Sequence, residues 1–118
     1  MNVKDFNFRL LHVGINSANL EEGRKNAELM ADLFGFPMRE TDGSWFLNEQ
    51  FEIMKMPFRG HNGHIAIAVS DAAGARRYLE SKGIVFAEES AKYDEDGKLK
   101  LIYAETEIAG FAFHLTEI

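Results

Sequence analysis

The sequence predicts an α+β fold made of two β-α-β-β-β modules, and three observations carry that reading. A histidine opens an alternating apolar strand twice, at Arg9-Leu10-Leu11-His12-Val13-Gly14-Ile15 and at Gly63-His64-Ile65-Ala66-Ile67-Ala68-Val69. Each strand is followed by a cappable amphipathic segment that stops at a glycine. Each half then closes with three short strand-like runs, the first two joined by an Asp-Gly turn, Asp42-Gly43 in one half and Asp96-Gly97 in the other. Apolar residues of period two mark strands and those of period 3.6 mark helices. Module one is expected over 8–57 and module two over 62–118, within a single domain of 1–118.

The elements follow in order. After the first strand, Ser17 or Asn19 can cap a helix over 20–34, with Leu20, Ala27, Met30, Ala31 and Phe34 on one face and Gly35 as its stop. Strands are expected at 36–41, 44–47 and 51–56, with Asp42-Gly43 as the hairpin turn. In the second half, Ser70 or Asp71 can cap a helix over 72–82 whose inner face is Ala72, Ala75 and Leu79, with Gly83 beyond it. Strands are expected at 84–89, 99–104 and 111–116.

Composition narrows the function classes. The chain has 118 residues, 46% hydrophobic and 27% charged, as in ordinary globular proteins. It holds no cysteine, which excludes disulfides, thiolate metal sites and a cysteine nucleophile. A net charge of -6 argues against nucleic acid, whose phosphates need a basic face. No apolar run is long enough to span a membrane, and the first residues lack the apolar core of a signal peptide, so a cytoplasmic location is expected.

Strand parity then singles out candidate functional residues. Leu11, Val13 and Ile15 oppose His12; Phe51 and Ile53 oppose Glu52; Ile65, Ile67 and Val69 oppose His64; Phe111, Phe113 and Leu115 oppose His114. Four times, one face is large and apolar while the other carries one His or Glu beside small or flexible neighbours. Curled mixed sheets with that second face inward would make a metal pocket floored by Gly14, Ala66, Ala68 and Ala112. A lone strand histidine is usually a hydrogen-bonded core residue. A carboxylate between Phe51 and Ile53 is harder to explain without a partner. His61 lies in a loop, and Trp45 reads as an edge or core aromatic.

Leu10-Leu11-His12, Phe51-Glu52-Ile53, Gly63-His64-Ile65-Ala66 and Gly110-Phe111-Ala112-Phe113-His114-Leu115 together resemble the vicinal oxygen chelate superfamily of glyoxalases, bleomycin-resistance proteins and extradiol dioxygenases. Gly63-His64-Ile65-Ala66-Ile67, Glu88-Glu89-Ser90-Ala91-Lys92-Tyr93-Asp94 and Gly110-Phe111-Ala112-Phe113-His114-Leu115 also resemble a glyoxalase-like domain associated with 2-keto-3-deoxy-6-phosphogluconate aldolases. The superfamily resemblance implies four ligands for one divalent metal ion, His12, Glu52, His64 and His114, and a homodimer. It departs at His114, where glyoxalase I has a glutamate that takes part in proton transfer, so glyoxalase activity is expected to be absent or very low.

Imidazole and carboxylate donors suit zinc, nickel, manganese, cobalt or iron. Four protein ligands would leave two positions on an octahedral ion, enough for two adjacent oxygens of a small substrate such as a 2-oxo or sugar acid. That count favours a metal-dependent isomerase or lyase over a dioxygenase, which binds dioxygen as well as substrate. A non-catalytic small-molecule-binding or accessory domain is the remaining alternative. Glu52 is the candidate catalytic group, with Glu88, Glu89, Lys92 and Tyr103 as other candidate bases. Asn16, Arg59, Lys92 and Tyr103 are candidate substrate contacts.

Overall fold

The capping and alternation signals resolve into eight strands and two α-helices in a computed structural model that describes residues 1–118. A 3-10 turn, Val3–Phe6, precedes β1 (Arg9–Ile15), α1 (Leu20–Phe34), β2 (Met38–Glu40), β3 (Ser44–Leu47) and β4 (Phe51–Met54). Then come β5 (Gly63–Val69), α2 (Ala72–Glu80), β6 (Phe86–Tyr93), β7 (Leu99–Ala104) and β8 (Phe111–Glu117). No helix is long and apolar enough to cross a membrane.

Local chemistry sets the element ends. Asn19, not Ser17, caps α1 by accepting the Glu22 backbone N–H at 2.8 Å, and Gly35 ends the helix in the left-handed region at φ 67°. Asp71, not Ser70, caps α2 by accepting the Gly74 N–H at 3.1 Å. α2 stops at Glu80, short of the expected 82, where the N–H groups of Lys82 and Gly83 turn back to the carbonyls of Leu79 and Glu80. β2 ends before Thr41 because the Thr41 hydroxyl accepts the N–H groups of Gly43 and Ser44, which places it in the turn. β6 starts later and runs further than expected, through a bulge bridged by Ser90. Its hydroxyl accepts the Tyr103 N–H at 2.9 Å and donates to the Ala87 carbonyl.

The strands form one mixed sheet in the order β2-β3-β4-β1-β5-β8-β7-β6. This corrects the expectation of curled sheets closed around a pocket. The sheet is open, its outer strands β2 and β6 do not meet, and the molecule measures 44 × 28 × 23 Å. The reason lies at the seam. β1 and β5 pair antiparallel from Arg9↔Ala68 to Ile15↔Gly63, so the free edge of each four-stranded module joins the other module rather than its own far strand.

Both helices lie on one face of this sheet. α1 covers Trp45, Leu47 and Ile53 through Ala27, while α2 covers Val69, Phe86, Leu99, Ile102 and Leu115 through Ala72 and Ala75. Trp45 is therefore a core residue, 2% exposed. Removing apolar area from water on this face is the main stabilising term. Leu47 is fully buried in the α1 cluster. Leu47→Ala should cost about 2–5 kcal/mol, read as a lower urea midpoint at unchanged slope. A loss near zero would show that the cluster is not packed as described.

Candidate metal centre

The face turned away from the helices carries the candidate donors, and strand register arranges them in two rows. One row runs Phe46, Glu52, Gly14, His64 and Ala112 across β3, β4, β1, β5 and β8. The next runs His12, Ala66, His114 and Tyr103 across β1, β5, β8 and β7. Across the seam, large and small side chains alternate, so each imidazole leans over a neighbour that has little or no side chain. Gly14 shows the need most directly, because a Cβ there would overlap the His64 ring. Gly14, Ala66 and Ala112 therefore seat the rings rather than floor an open pocket, and Ala66 and Ala112 are buried beneath them.

His12, His64 and His114 converge so that one ligand atom from each lies within 4.8 Å of the others, a cluster able to coordinate a divalent metal ion. Ring centroids stand 5.4 Å apart for His12 and His64, 5.5 Å for His64 and His114, and 5.8 Å for His12 and His114. Glu52 reaches the same place. Its Oε1 is 3.0 Å from His64 Nε2 and 3.2 Å from His12 Nε2, and its Oε2 accepts the Ser44 hydroxyl at 2.7 Å.

The hydrogen-bond inventory of this cluster leaves a donor atom free for a cation. His12 Nε2, which faces Glu52 and His64, is buried without a hydrogen-bond partner, and its close approach to Glu52 lacks hydrogen-bond geometry. Buried polar atoms seldom stay unsatisfied, because each costs about 1–3 kcal/mol. Burial pushes the His114 imidazole down to about 3, reinforced by His64 and His12, so it stays neutral with a lone pair free to ligate. Thr116 Oγ1, 2.9 Å from His114 Nδ1, fixes that ring from behind. Burial alone would push the Glu52 carboxyl up, but His12, His64 and Ser44 outweigh it and hold the group well below the usual carboxylate range.

The four candidate substrate contacts fall in different places. Tyr103 packs 4.7 Å from the His114 ring, and burial together with the charge of Glu52 raises its hydroxyl pKa, so it remains a neutral donor. Arg59 lies over the Tyr103 ring, 4.8 Å from its centroid. Asn16 is spent on structure. Its amide donates to the Phe58 and Gly60 carbonyls at 3.3 and 2.9 Å and accepts the Phe58 N–H at 3.1 Å, latching the loop between β4 and β5. Lys92 is exposed on the outer strand β6, opposite Leu101. Of the other candidate bases, Glu88 is held by Arg76 and Tyr93, and Glu89 lies beside Arg59. His61 is 85% exposed and paired with Glu107, outside the cluster.

Sequence reasoning missed Ser44, Phe46, Phe58 and Thr116. Thr116 was legible by parity, two residues beyond His114 on the same strand. Ser44 and Phe46 needed the β3–β4 register, and Phe58, 5.9 Å from the His64 ring, needed the loop path.

No protein-family model matches the chain, and no curated protein sequence is similar to it. Solved structures are. Methylmalonyl-CoA epimerase from Mycobacterium tuberculosis superposes with a TM-score of 0.66 at 22% identity, covering 99% of this chain and 91% of that one. A hypothetical protein from Bacillus halodurans C-125 gives 0.64 at 15% identity, covering 94% of each chain. A variant of Streptomyces coelicolor methylmalonyl-CoA epimerase in complex with 2-nitronate-propionyl-CoA gives 0.61 at 14% identity, covering 92% and 96%. The chain thus shares the fold of these proteins, which resembles that of the vicinal oxygen chelate superfamily, and places a three-histidine cluster able to hold a metal ion at the centre of its sheet.

Two tests follow from this geometry. Gly14→Ala should displace the His64 ring and weaken cobalt binding by at least roughly tenfold, about 1.4 kcal/mol, in calorimetric titration. Unchanged affinity would mean that His64 does not need its seat on Gly14. The second test concerns acid. His114 ionises near 3 in the fold against an ordinary 6.5, so below 6.5 the unfolded chain takes a proton that the folded chain refuses. Its stability contribution is complete above pH 6.5 and is lost progressively as pH falls toward 3. Glu52 acts with the same sign only below its ordinary 4.5. Urea midpoints of the metal-free protein should therefore fall between about pH 7 and pH 5, and His114→Gln should flatten that fall. An equally steep fall in the variant would refute the assignment to His114.

Proposed function

We propose that the protein is a metal-dependent isomerase or lyase that moves a proton beside a carbonyl in a small substrate with two adjacent oxygens. The observation that carries this is the convergence of three histidines and one carboxylate on the four central strands β4, β1, β5 and β8. His12, Glu52, His64 and His114 would hold the ion. A divalent ion held there supplies Lewis acidity, lowering the cost of negative charge on a carbonyl oxygen.

The chain's own groups divide the remaining work. Glu52 is held anionic and lies in reach of the same space, so it is the proton-accepting group if one of its oxygens is free during turnover. Tyr103, kept neutral by burial, can donate a hydrogen bond to a substrate oxygen. Phe58, with Tyr103, walls the site with aromatic rings and limits water. The epimerases among similar structures support proton transfer over oxygenation, since epimerisation beside a carbonyl needs a carbon acid and a base but no dioxygen. An accessory role beside an aldolase has no observation to carry it.

Deuterium exchange is the direct test. In deuterium oxide, cobalt- or zinc-loaded protein should introduce deuterium at the carbon beside the carbonyl of 2-oxo acids or 2-hydroxy ketones, read by mass spectrometry. Chelation of the metal and His64→Ala should each stop it. Glu52→Gln should slow it by roughly a hundredfold or more, the usual contribution of a general base. Exchange at the same rate after complete metal removal would reject the proposal.

A further inference from the structure

We propose that Arg59 is a specificity residue that binds a second anionic group of the substrate, remote from the two oxygens that reach the metal. The inference rests on the chelate reading above and adds the substrate class, a 2-oxo or 2-hydroxy acid with a distal carboxylate.

Three observations carry it. First, Arg59 stands in contact with the site. Its guanidinium lies 4.8 Å from the Tyr103 centroid, and the Tyr103 ring lies 4.7 Å from that of His114, opposite it in register on the adjacent strand. Two ring contacts thus separate the cation from a candidate ligand, a span that a short dicarboxylic acid can bridge. Second, Arg59 is underused. Arg39, Lys55, Arg76 and Lys100 each hydrogen-bond a carboxylate, at 2.6, 2.6, 2.9 and 3.0 Å. The carboxylate nearest Arg59, on Glu89, is 3.8 Å away and 74% exposed, too long for a hydrogen bond and open to solvent screening. The planar fork of Arg59 therefore has donors left for an incoming carboxylate.

Third, its position is built rather than incidental. Asn16 latches Phe58 and Gly60, the residues on either side of Arg59, through three hydrogen bonds. Gly60, at φ 84°, is pressed so closely against the Gly63 carbonyl and the Ala112 N–H that a Cβ would overlap them. The loop thus presents the cation at the site without an ordering cost when the ligand arrives.

The test uses cobalt-loaded protein and two acids with the same chelating end, 2-oxoglutarate and 2-oxopentanoate, titrated by the visible cobalt spectrum. The wild-type chain should bind the dicarboxylate tighter by roughly tenfold or more, the worth of one charge-assisted hydrogen bond. Arg59→Ala should remove that preference while leaving 2-oxopentanoate affinity unchanged. Arg59→Lys, which keeps the charge but loses the fork, should retain part of it. Equal binding of both acids by the wild type, or a preference that survives Arg59→Ala, overturns the role of Arg59 and leaves the chelate reading standing. A spectrum that neither acid changes sinks the chelate reading and this proposal with it.

Discussion

The antiparallel pairing of β1 with β5 is the constraint on which the rest of the molecule depends. It turns two four-stranded modules into one sheet and places β4, β1, β5 and β8 side by side. Those strands carry Glu52, His12, His64 and His114. Neither module holds the full donor set, since His12 and Glu52 come from the first and His64 and His114 from the second. The hydrogen bonds that join the halves therefore also assemble the site. A slip of one residue along this seam would send the second module's histidines to the helix face.

Placing three imidazoles and a carboxylate together is costly unless each ring has room and each polar atom a partner. Room comes from Gly14, Ala66 and Ala112, which alternate with the donors across the seam. Partners come from Ser44 for Glu52 and Thr116 for His114, each fixing a donor from behind. What is left over at the cluster is His12 Nε2, buried without a hydrogen-bond partner. The helix face has the opposite character, with apolar clusters under α1 and α2.

An open sheet leaves the site to be enclosed by something other than strand closure. The loop between β4 and β5 does this in part. Latched by Asn16 and threaded past Gly60, it brings Phe58 against His64 and Tyr103, and Arg59 over Tyr103. The resulting wall is aromatic with one cation.

How much of this was readable in advance depends on the range of the interaction involved. The two helices, the strands at 9–15, 44–47, 63–69 and 99–104, and both Asp-Gly turns follow from local capping, turn chemistry and alternation, so they were legible within a few residues. Parity alone put His12, His64 and His114 on the faces opposite their apolar neighbours, because side chains alternate whatever the partner strand. The tertiary structure decided the rest. It spent the amide of Asn16 on Phe58 and Gly60 in the loop between β4 and β5, left Lys92 on an outer strand and brought Ser44 and Phe58 to the cluster. It also laid the modules edge to edge in an open sheet where curled ones were expected. Each of these depends on which strand edges meet and in what register, a choice made by long-range hydrogen bonding and burial that no short stretch of sequence contains.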